Sequence, residues 1–255
     1  MRLIVSLMAL ISLGQVCQAE TVTLRADLYP PFNAQPGSDK PGMIIEIAQA
    51  VFTKTGITVD YKTMPWSRTL KAVEAGEIDG AVGADPAMAE QFALSTEPQG
   101  WWAAHFYTLS TSTWNYAGQS SLADKKLGVT QDYTYGKGDN GEDIDAYVAA
   151  GKGVEAIKGD KPIEIILAMM QKNRIDTVLE SPAVILATLE GMKLPAATVR
   201  DAGRFSSGYG LHVAFTKNER GQRLAKQLGE GTAALRTSGA LKTILDRYQM
   251  QDWVK

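Results

Sequence analysis

The chain has 255 residues, of which 45% are apolar and 21% charged, a composition that supports one or two globular domains and excludes a disordered or collagen-like chain. Its 26 basic and 28 acidic residues give a formal net charge of -2, without the basic excess that nucleic-acid binding requires. One cysteine and two histidines are too few for a disulfide framework or a Cys/His zinc site, so we expect no structural metal and no cofactor.

Residues 1–19 have the pattern of a cleaved secretory signal peptide. An apolar run covers residues 3–13, and the small residues Cys17 and Ala19 stand at the two positions that signal peptidase reads. A membrane anchor is disfavoured because the run is well short of the ~20 residues that cross a bilayer. A lipid on Cys17 is the other alternative, although Val16 stands where a lipoprotein signal has a small residue. We therefore expect cleavage after Ala19 and a periplasmic protein.

The chain after residue 19 alternates between strand and helix patterns. Strand-like segments alternate polar and apolar residues, and helix-like segments repeat apolar residues every three to four positions. In order, these segments are a strand at 21–26, a loop at Tyr29-Pro30-Pro31-Phe32, a helix at 44–52, a strand at 57–62, a helix that Ser67 caps, and a strand at 78–82. This alternation predicts a parallel sheet with crossover helices.

A second block repeats the alternation and predicts a second domain. Its segments are a strand at 126–130, a helix opened by Pro162, a strand at 175–179, and a helix opened by Ser181-Pro182 that ends at Gly191. Segments 102–110 and 210–216 are long and apolar enough to cross between domains, and two amphipathic helices end the chain. We therefore predict a discontinuous domain 1, residues 20–109 and 211–255, and a domain 2, residues 110–210.

Several short motifs occur in one order along the chain. They are Tyr29-Pro30-Pro31-Phe32, Gly42 before an apolar helix, Pro65-Trp66-Ser67-Arg68, Gly76-Glu77-Ile78-Asp79-Gly80, Pro86 before Ser95-Thr96-Glu97-Pro98, Lys126-Leu127-Gly128-Val129, Asn173-Arg174-Ile175-Asp176 and Ala214-Phe215-Thr216-Lys217. The ordered set resembles family 3 of the bacterial periplasmic solute-binding proteins, and Pro-Trp-Ser-Arg is similar to one branch of that family.

The resemblance implies a type II periplasmic-binding-protein fold, an α/β fold of two domains, each with a mainly parallel sheet flanked by helices, joined by two hinge crossings. It also implies a monomer that closes around a small polar solute, amino-acid-like or otherwise charged, and delivers it to the permease of an ABC importer. A secreted sensor that feeds a membrane receptor is the alternative. An enzyme is disfavoured because no motif supplies a nucleophile, a base and an orienting group together, although Glu97 and Asp132 are an imaginable acid/base pair.

Ligands of open parallel sheets bind outside the carboxyl ends of the strands, near helix N-termini. This rule selects five residues on loops at strand ends: Tyr29, Trp66, Asp85, Tyr133 and Thr134. The aromatic rings can stack on a planar or cationic solute, with core or interface packing as the alternative, and Thr134 can meet a ligand anion. We therefore predict a ligand site made by these loops.

Two charged contacts are implied by relatives that bind α-amino acids. The arginine that clamps the ligand carboxylate falls here on Met88, so that clamp is missing. Glu180 matches the acid that receives a ligand ammonium, with a simple interaction with the following helix as the alternative. Arg68, in the first turn of a helix, is either a substitute ligand for an anion or is solvated or paired with Glu46 or Glu74. We expect simple neutral amino acids to bind poorly and the ligand to carry a cation facing Glu180 or an anion facing Arg68.

Overall fold

The computed structural model describes residues 20–159 and 161–254, so the predicted signal peptide at 1–19 lies outside the described residues. The strands are β1 Thr21–Ala26, β2 Thr58–Thr63, β3 Gly80–Ala84, β4 Ala93–Leu94, β5 Gly100–Leu109, β6 Leu127–Thr130, β7 Val154–Ile157, β8 Thr177–Glu180 and β9 Val199–Phe215. The α-helices are α1 Met43–Thr53, α2 Trp66–Glu74, α3 Ile144–Ala150, α4 Pro162–Gln171, α5 Pro182–Gly191, α6 Glu219–Thr237 and α7 Ala240–Arg247. None of the helices in the described segments is both long and apolar enough to cross a bilayer.

The described strands form one sheet in the order β2-β1-β3-β9-β5-β8-β6-β7, and β4 pairs with β9. β1 runs parallel to β2 and β3, and β6 runs parallel to β7 and β8. The long strands β5 and β9 run antiparallel to each other between these two parallel groups. We call β2-β1-β3 with β4 the first half-sheet and β8-β6-β7 the second half-sheet. The strands β2, β1 and β3 run parallel to one another, as do β8, β6 and β7, as the alternation of patterns predicts, whereas β4 runs antiparallel to β9.

In the first half-sheet, the loop after β1 is fixed against the start of α1. The backbone N–H groups of Met43 and Ile44, which have no partner within the helix, donate to the carbonyl oxygens of Pro31 and Phe32 at 2.9 and 3.0 Å. Gly42 precedes the helix with φ 114°, and a Cβ there would lie 2.5 Å from the Phe32 carbonyl oxygen. Only glycine permits this close approach, which holds the Tyr29 loop at the carboxyl end of β1.

In the second half-sheet, β8 leads directly into a helix. Glu180 is the last residue of the strand, Ser181 is the N-cap residue of α5, and Pro182 is the first helical residue, where its missing N–H costs nothing. The loop after β6 is held by Asp145, whose carboxylate accepts hydrogen bonds from the backbone N–H groups of Tyr135 and Gly136 at 2.7 and 2.9 Å. The β8–α5 connection and the loop after β6 therefore both lie at the carboxyl ends of their strands.

Several element boundaries differ from the sequence-based prediction, as two examples show. The crossing segment expected at 210–216 coincides with the last part of β9, which has 17 residues and begins at Val199, because its pairing with β5 runs back to Leu109. Helix α2 begins one residue before Ser67, with Pro65 as its N-cap residue, and Ser67 makes no capping hydrogen bond. The Pro65 carbonyl oxygen accepts hydrogen bonds from the N–H groups of Arg68 and Thr69 at 3.0 and 2.9 Å, so the helical hydrogen bonding begins at Pro65. The domain division at residues 109/110 and 210/211 stays a prediction.

Candidate functional site

A cavity of about 60 Å³ lies between the two half-sheets. It is lined by Asp27, Tyr29, Asn33, Trp66, Val82, Gly83, Asp85, Met88, Trp102, Tyr133, Thr134, Tyr209 and Leu211. Five of these are ligand residues predicted from the sequence: Tyr29, Trp66, Asp85, Tyr133 and Thr134. The loops at the strand carboxyl ends thus come together around one space.

Glu180 lies directly behind the cavity wall and is completely buried, with 0% of its surface exposed. Its Oε1 atom accepts hydrogen bonds from the Tyr29 hydroxyl, from Trp102 Nε1 at 3.1 Å and from the Ser181 N–H at 2.6 Å. Its Oε2 atom is buried and has no hydrogen-bond partner in the described part of the chain. The carboxylate therefore has one saturated oxygen and one free acceptor.

The burial of Glu180 changes its protonation. Desolvation raises its pKa to about 7, because the hydrogen bonds from Tyr29, Ser181 and Trp102 only partly offset the loss of water around the charge. The negative charge of Asp27 raises the pKa further. Since an opposite charge at Oε2 would favour the ionised form, a cation is the partner that this carboxyl group lacks.

Asp27 holds a related position on the other side of the cavity. Its carboxylate accepts a hydrogen bond from the Tyr133 hydroxyl, and its backbone carbonyl accepts one from Asn33 Nδ2 at 2.7 Å. Desolvation raises the pKa of Asp27, against the lowering effect of the Tyr133 hydroxyl. The rings of Tyr29 and Tyr133 meet edge to face at 5.7 Å between them. Each carboxylate is thus bound by a tyrosine from the opposite half-sheet.

Asp85 and Thr134 face each other across the cavity mouth. Asp85 Oδ1 caps a short 3₁₀ helix by accepting a hydrogen bond from the Ala87 N–H at 2.7 Å. The Thr134 hydroxyl lies 3.5 Å from Asp85 Oδ2. The hydroxyl therefore faces a carboxylate, whereas the sequence-based hypothesis had it facing a ligand anion.

Arg68 is the one predicted ligand residue that the structure leaves away from the cavity. It is exposed in the first turn of α2, and its side chain makes no hydrogen bond or ion pair within the described residues. Glu46, a suggested partner, instead accepts a hydrogen bond from the Tyr248 hydroxyl at 2.6 Å and lies 3.5 Å from Arg247. Arg68 thus has the geometry of the solvated alternative.

The charged side chains that line the cavity in the described residues are all acidic. Of the residues in 20–159 and 161–254, no lysine, arginine or histidine lines it, whereas Asp27 and Asp85 do. No group of three His, Cys, Asp or Glu side chains in those ranges has the arrangement of a metal site. Glu97, considered above as an acid, pairs with Arg236 at 3.2 Å. The cavity is therefore suited to a positively charged organic group.

The comparisons with known proteins agree with this architecture. The family model for the bacterial extracellular solute-binding proteins, family 3, matches residues 21–251. The chain belongs to this family. A curated relative is the probable amino-acid-binding protein YxeM of Bacillus subtilis (strain 168), 21% identical over 235 residues that cover 87% of this chain and 81% of that protein. The predicted family is confirmed.

Solved structures similar to this family 3 protein share its fold. A histidine kinase sensor domain with similarity to periplasmic binding proteins has a TM-score of 0.73 and 20% identity, over 89% of this chain and 95% of its own. An ancestral arginine-binding protein bound to arginine has a TM-score of 0.71 and 22% identity, over 89% and 97% of the two chains. The mixed α/β architecture of the type II periplasmic binding proteins is thereby confirmed.

Four polar or aromatic lining residues of this family 3 protein are not among the predicted ligand residues: Asp27, Asn33, Trp102 and Tyr209. Asp27 directly follows β1, so the strand-end rule that selected Tyr29 also covers it. Trp102 and Tyr209 lie opposite each other on β5 and β9, with ring centroids 5.1 Å apart. They reach the cavity through the central strand pair, a placement that no local sequence pattern indicates.

Proposed function

We propose that this family 3 protein is an exported solute-binding protein, active as a monomer, that holds one small polar solute with an ammonium group in the cavity between the half-sheets. The observation that carries the proposal is the fully buried Glu180, whose Oε2 atom has no partner. A buried charge is stabilised only when it is paired and hydrogen-bonded. An ammonium group supplies both the charge and the donors, and the tyrosine and tryptophan rings around it favour a cation.

The family supports transport as the biological role. Its members are extracellular solute-binding proteins, and the curated relative carries the name of a probable amino-acid-binding protein. One of the similar structures is the substrate-binding protein of an amino acid ABC transporter. We propose delivery of the solute to the permease of an ABC importer, after export directed by residues 1–19.

We also propose that residues 20–109 with 211–255 and residues 110–210 move as two bodies that close on the solute. The hydroxyl contacts of Tyr29 with Glu180 and of Tyr133 with Asp27 cross between the half-sheets and would break on opening. Small-angle X-ray scattering with and without saturating ligand tests this motion. An unchanged radius of gyration under both conditions contradicts it.

A sensor is the second candidate, favoured by the similarity in fold to a histidine kinase sensor domain. The solute site would be the same, but the partner would be a membrane receptor and not a permease. Crosslinking of the protein in intact cells, followed by mass spectrometry of the membrane partner, separates the two roles. A transporter permease supports import, and a receptor with a signalling domain supports the sensor.

The test of solute binding is a thermal-shift screen of amino acids, amines and other small polar solutes, backed by mass spectrometry of whatever co-purifies. A true ligand at a hundredfold excess over Kd stabilises the fold by about 2.7 kcal/mol. Glu180→Gln should remove this stabilisation, whereas the matched control Glu190→Gln, on the exposed end of α5, should keep it. The ligand must be recovered unchanged after incubation, and steady conversion would instead indicate an enzyme. A screen without any hit contradicts the proposal.

A further inference from the structure

Two buried hydrogen-bond acceptors at this site lack donors, one on the cavity wall and one directly behind it. Glu180 Oε2 belongs to the second half-sheet and Asn33 Oδ1 to the first, and both atoms are buried without a partner among the described residues. Asn33 is only 1% exposed and lines the cavity. A ligand that satisfies both atoms must therefore carry two donor groups, at opposite ends.

The orientation of Asn33 is fixed by its surroundings. Its Nδ2 atom donates to the Asp27 carbonyl oxygen at 2.7 Å, a contact that only the amide nitrogen can make. The amide oxygen therefore points away from that carbonyl, toward Gly83 at the cavity wall. Asp27 and Asn33 both line the cavity, and we call the Asp27 carboxylate and Asn33 Oδ1 the Asp27 and Asn33 patch, which offers negative charge as well as a free lone pair.

The charges on the wall decide what the second donor is. A carboxylate on the ligand would enter a space lined by Asp27 and Asp85, with no lining lysine, arginine or histidine in the described ranges to receive it. Met88 lines the cavity at the position where the family resemblance implies the carboxylate-binding arginine, and Arg68 is exposed on α2 outside the cavity. Like charges at close range repel in a site with little water, so a ligand carboxylate is disfavoured at this end.

The space between the two acceptor patches is small and aromatic. Tyr29, Trp66, Trp102, Tyr133 and Tyr209 line it. Each ordered water needs at least ~10–15 Å³ of such space, so the 60 Å³ cavity holds roughly four to six water-sized groups. A short methylene chain fits this volume, and its charged ends can lie over the ring faces.

We infer that the ligand of this protein is a short, linear diammonium compound without a carboxylate, with one ammonium group at Glu180 and the other at the Asp27 and Asn33 patch. This inference rests on the proposed function and narrows its solute class. It sets this chain apart from the amino-acid binders that it resembles.

Three probes of similar length test the inference by isothermal titration at pH 8. They are 1,4-diaminobutane, pentan-1-amine, in which a methyl group replaces one ammonium group, and 4-aminobutanoate, in which a carboxylate replaces one aminomethyl group. The diamine should bind at least tenfold more tightly than the monoamine, and 4-aminobutanoate should bind most weakly. The series from 1,2-diaminoethane to 1,5-diaminopentane should show one best length. If 4-aminobutanoate, glutamine or arginine binds as tightly as the best diamine, the inference is overturned while the solute-binding function stands.

A substitution at the second patch locates the second ammonium group. Asp27→Asn should lower the affinity for the diamine at least tenfold and change that for the monoamine by less than threefold. The matched control Asp124→Asn, at an exposed position, should change neither. If Asp27→Asn lowers the affinity for both probes equally, no ammonium group of the diamine binds at this patch and the inference is overturned. Absence of diamine binding also overturns it, and the solute screen then decides separately whether the proposed function survives.

Discussion

Asp27 follows the last residue of β1 in the first half-sheet, Glu180 ends β8 in the second, and each carboxylate accepts a hydrogen bond from a tyrosine that belongs to the opposite half-sheet. The two groups differ in depth. Glu180 is fully buried and receives three donors on one oxygen, whereas Asp27 is half-buried and its side chain receives only the Tyr133 hydroxyl among the described residues.

The difference shows that hydrogen-bond donors do not fully offset the loss of hydration of a buried carboxylate. Burial raises the pKa of both carboxyl groups, yet Glu180, with more hydrogen bonds that lower its pKa, reaches about 7. Three neutral donors therefore stabilise its charge less than the lost water did. A charged partner is needed to complete the deeper site.

The largest expected effect is on the pH dependence of stability. Between the unfolded pKa of 4.5 and the folded pKa of about 7, the folded state binds more protons at Glu180 than the unfolded state does. The free energy of unfolding of the ligand-free protein should therefore fall by about 2.5 kcal/mol from pH 5 to pH 8 through this residue. Glu180→Gln should remove this slope and Asp27→Asn a smaller part of it.

Urea denaturation at several pH values measures these slopes. Glu190→Gln is the control, since that exposed side chain makes no ion pair or hydrogen bond in the described segments. The lowered pKa of the partly buried His212 acts in the opposite direction near pH 6, so each variant is compared with the wild type at every pH. A Glu180→Gln protein with the wild-type slope would contradict the assigned protonation.

The next largest effect is the loss of stability when either tyrosine hydroxyl that bonds to a carboxylate is removed. Tyr29→Phe removes a donor from the buried Glu180 and should destabilise the protein by about 2 kcal/mol, as expected for a hydrogen bond to a buried charge. Tyr133→Phe should cost about 1 kcal/mol, because water can replace the donor at the half-buried Asp27. Tyr147→Phe, whose hydroxyl is 3.3 Å from the Leu122 carbonyl oxygen, is the control. Equal losses of unfolding free energy for Tyr29→Phe and Tyr133→Phe, in denaturant titrations at pH 8, would contradict the expected effect of burial depth on these two hydrogen bonds.

A smaller effect is expected on ligand affinity. A cation binds the ionised form of Glu180, which is about one tenth populated at pH 6 and nine tenths populated at pH 8 if the pKa is about 7. The affinity for a cationic ligand should therefore rise about tenfold between these two pH values. Titration calorimetry in buffers of different ionisation enthalpy should also show proton release on binding at pH 6. Affinity that rises toward acid pH would point to an anionic ligand.

The smallest effect is expected at Arg68. Because this side chain is exposed and contacts no charged group in the described ranges, Arg68→Ala should change the free energy of unfolding by less than about 0.5 kcal/mol. Ligand affinity should also stay within about twofold of the wild type. A clear loss of ligand affinity in Arg68→Ala would revive the alternative of an anionic ligand.

The part of the site that could be predicted is the part that depends on residues adjacent in the sequence. Glu180 was identified because the strand, the acid and the Ser181-Pro182 helix start are adjacent in sequence, and the resemblance to the family pointed to the same acid. Tyr29 was identified in the same way, through the loop after β1. The free oxygen of Asn33 was not predicted, because it depends on which way an amide turns when it bonds to the Asp27 carbonyl.

For the fold as well, features set by adjacent residues could be predicted and features set by distant contacts could not. Local periodicity predicted the alternation of strands and helices in the first half-sheet and most of it in the second, where α3 and β7 were not predicted. The full length of β9 depends on pairing with β5, a strand about a hundred residues earlier in the chain. Tyr209 reaches the cavity only through that pairing. Long-range pairing is the information that a single sequence does not display.

The position of Trp102 gives the protein an optical signal of its own. Its indole N–H donates to the Tyr29 hydroxyl at 2.8 Å and to Glu180 Oε1 at 3.1 Å, and its ring packs on Tyr209. The emission wavelength of an indole depends on the electric field of the charges next to it. Fluorescence of this side chain therefore responds to the ionisation of Glu180 and to a cation placed beside it, without any attached dye.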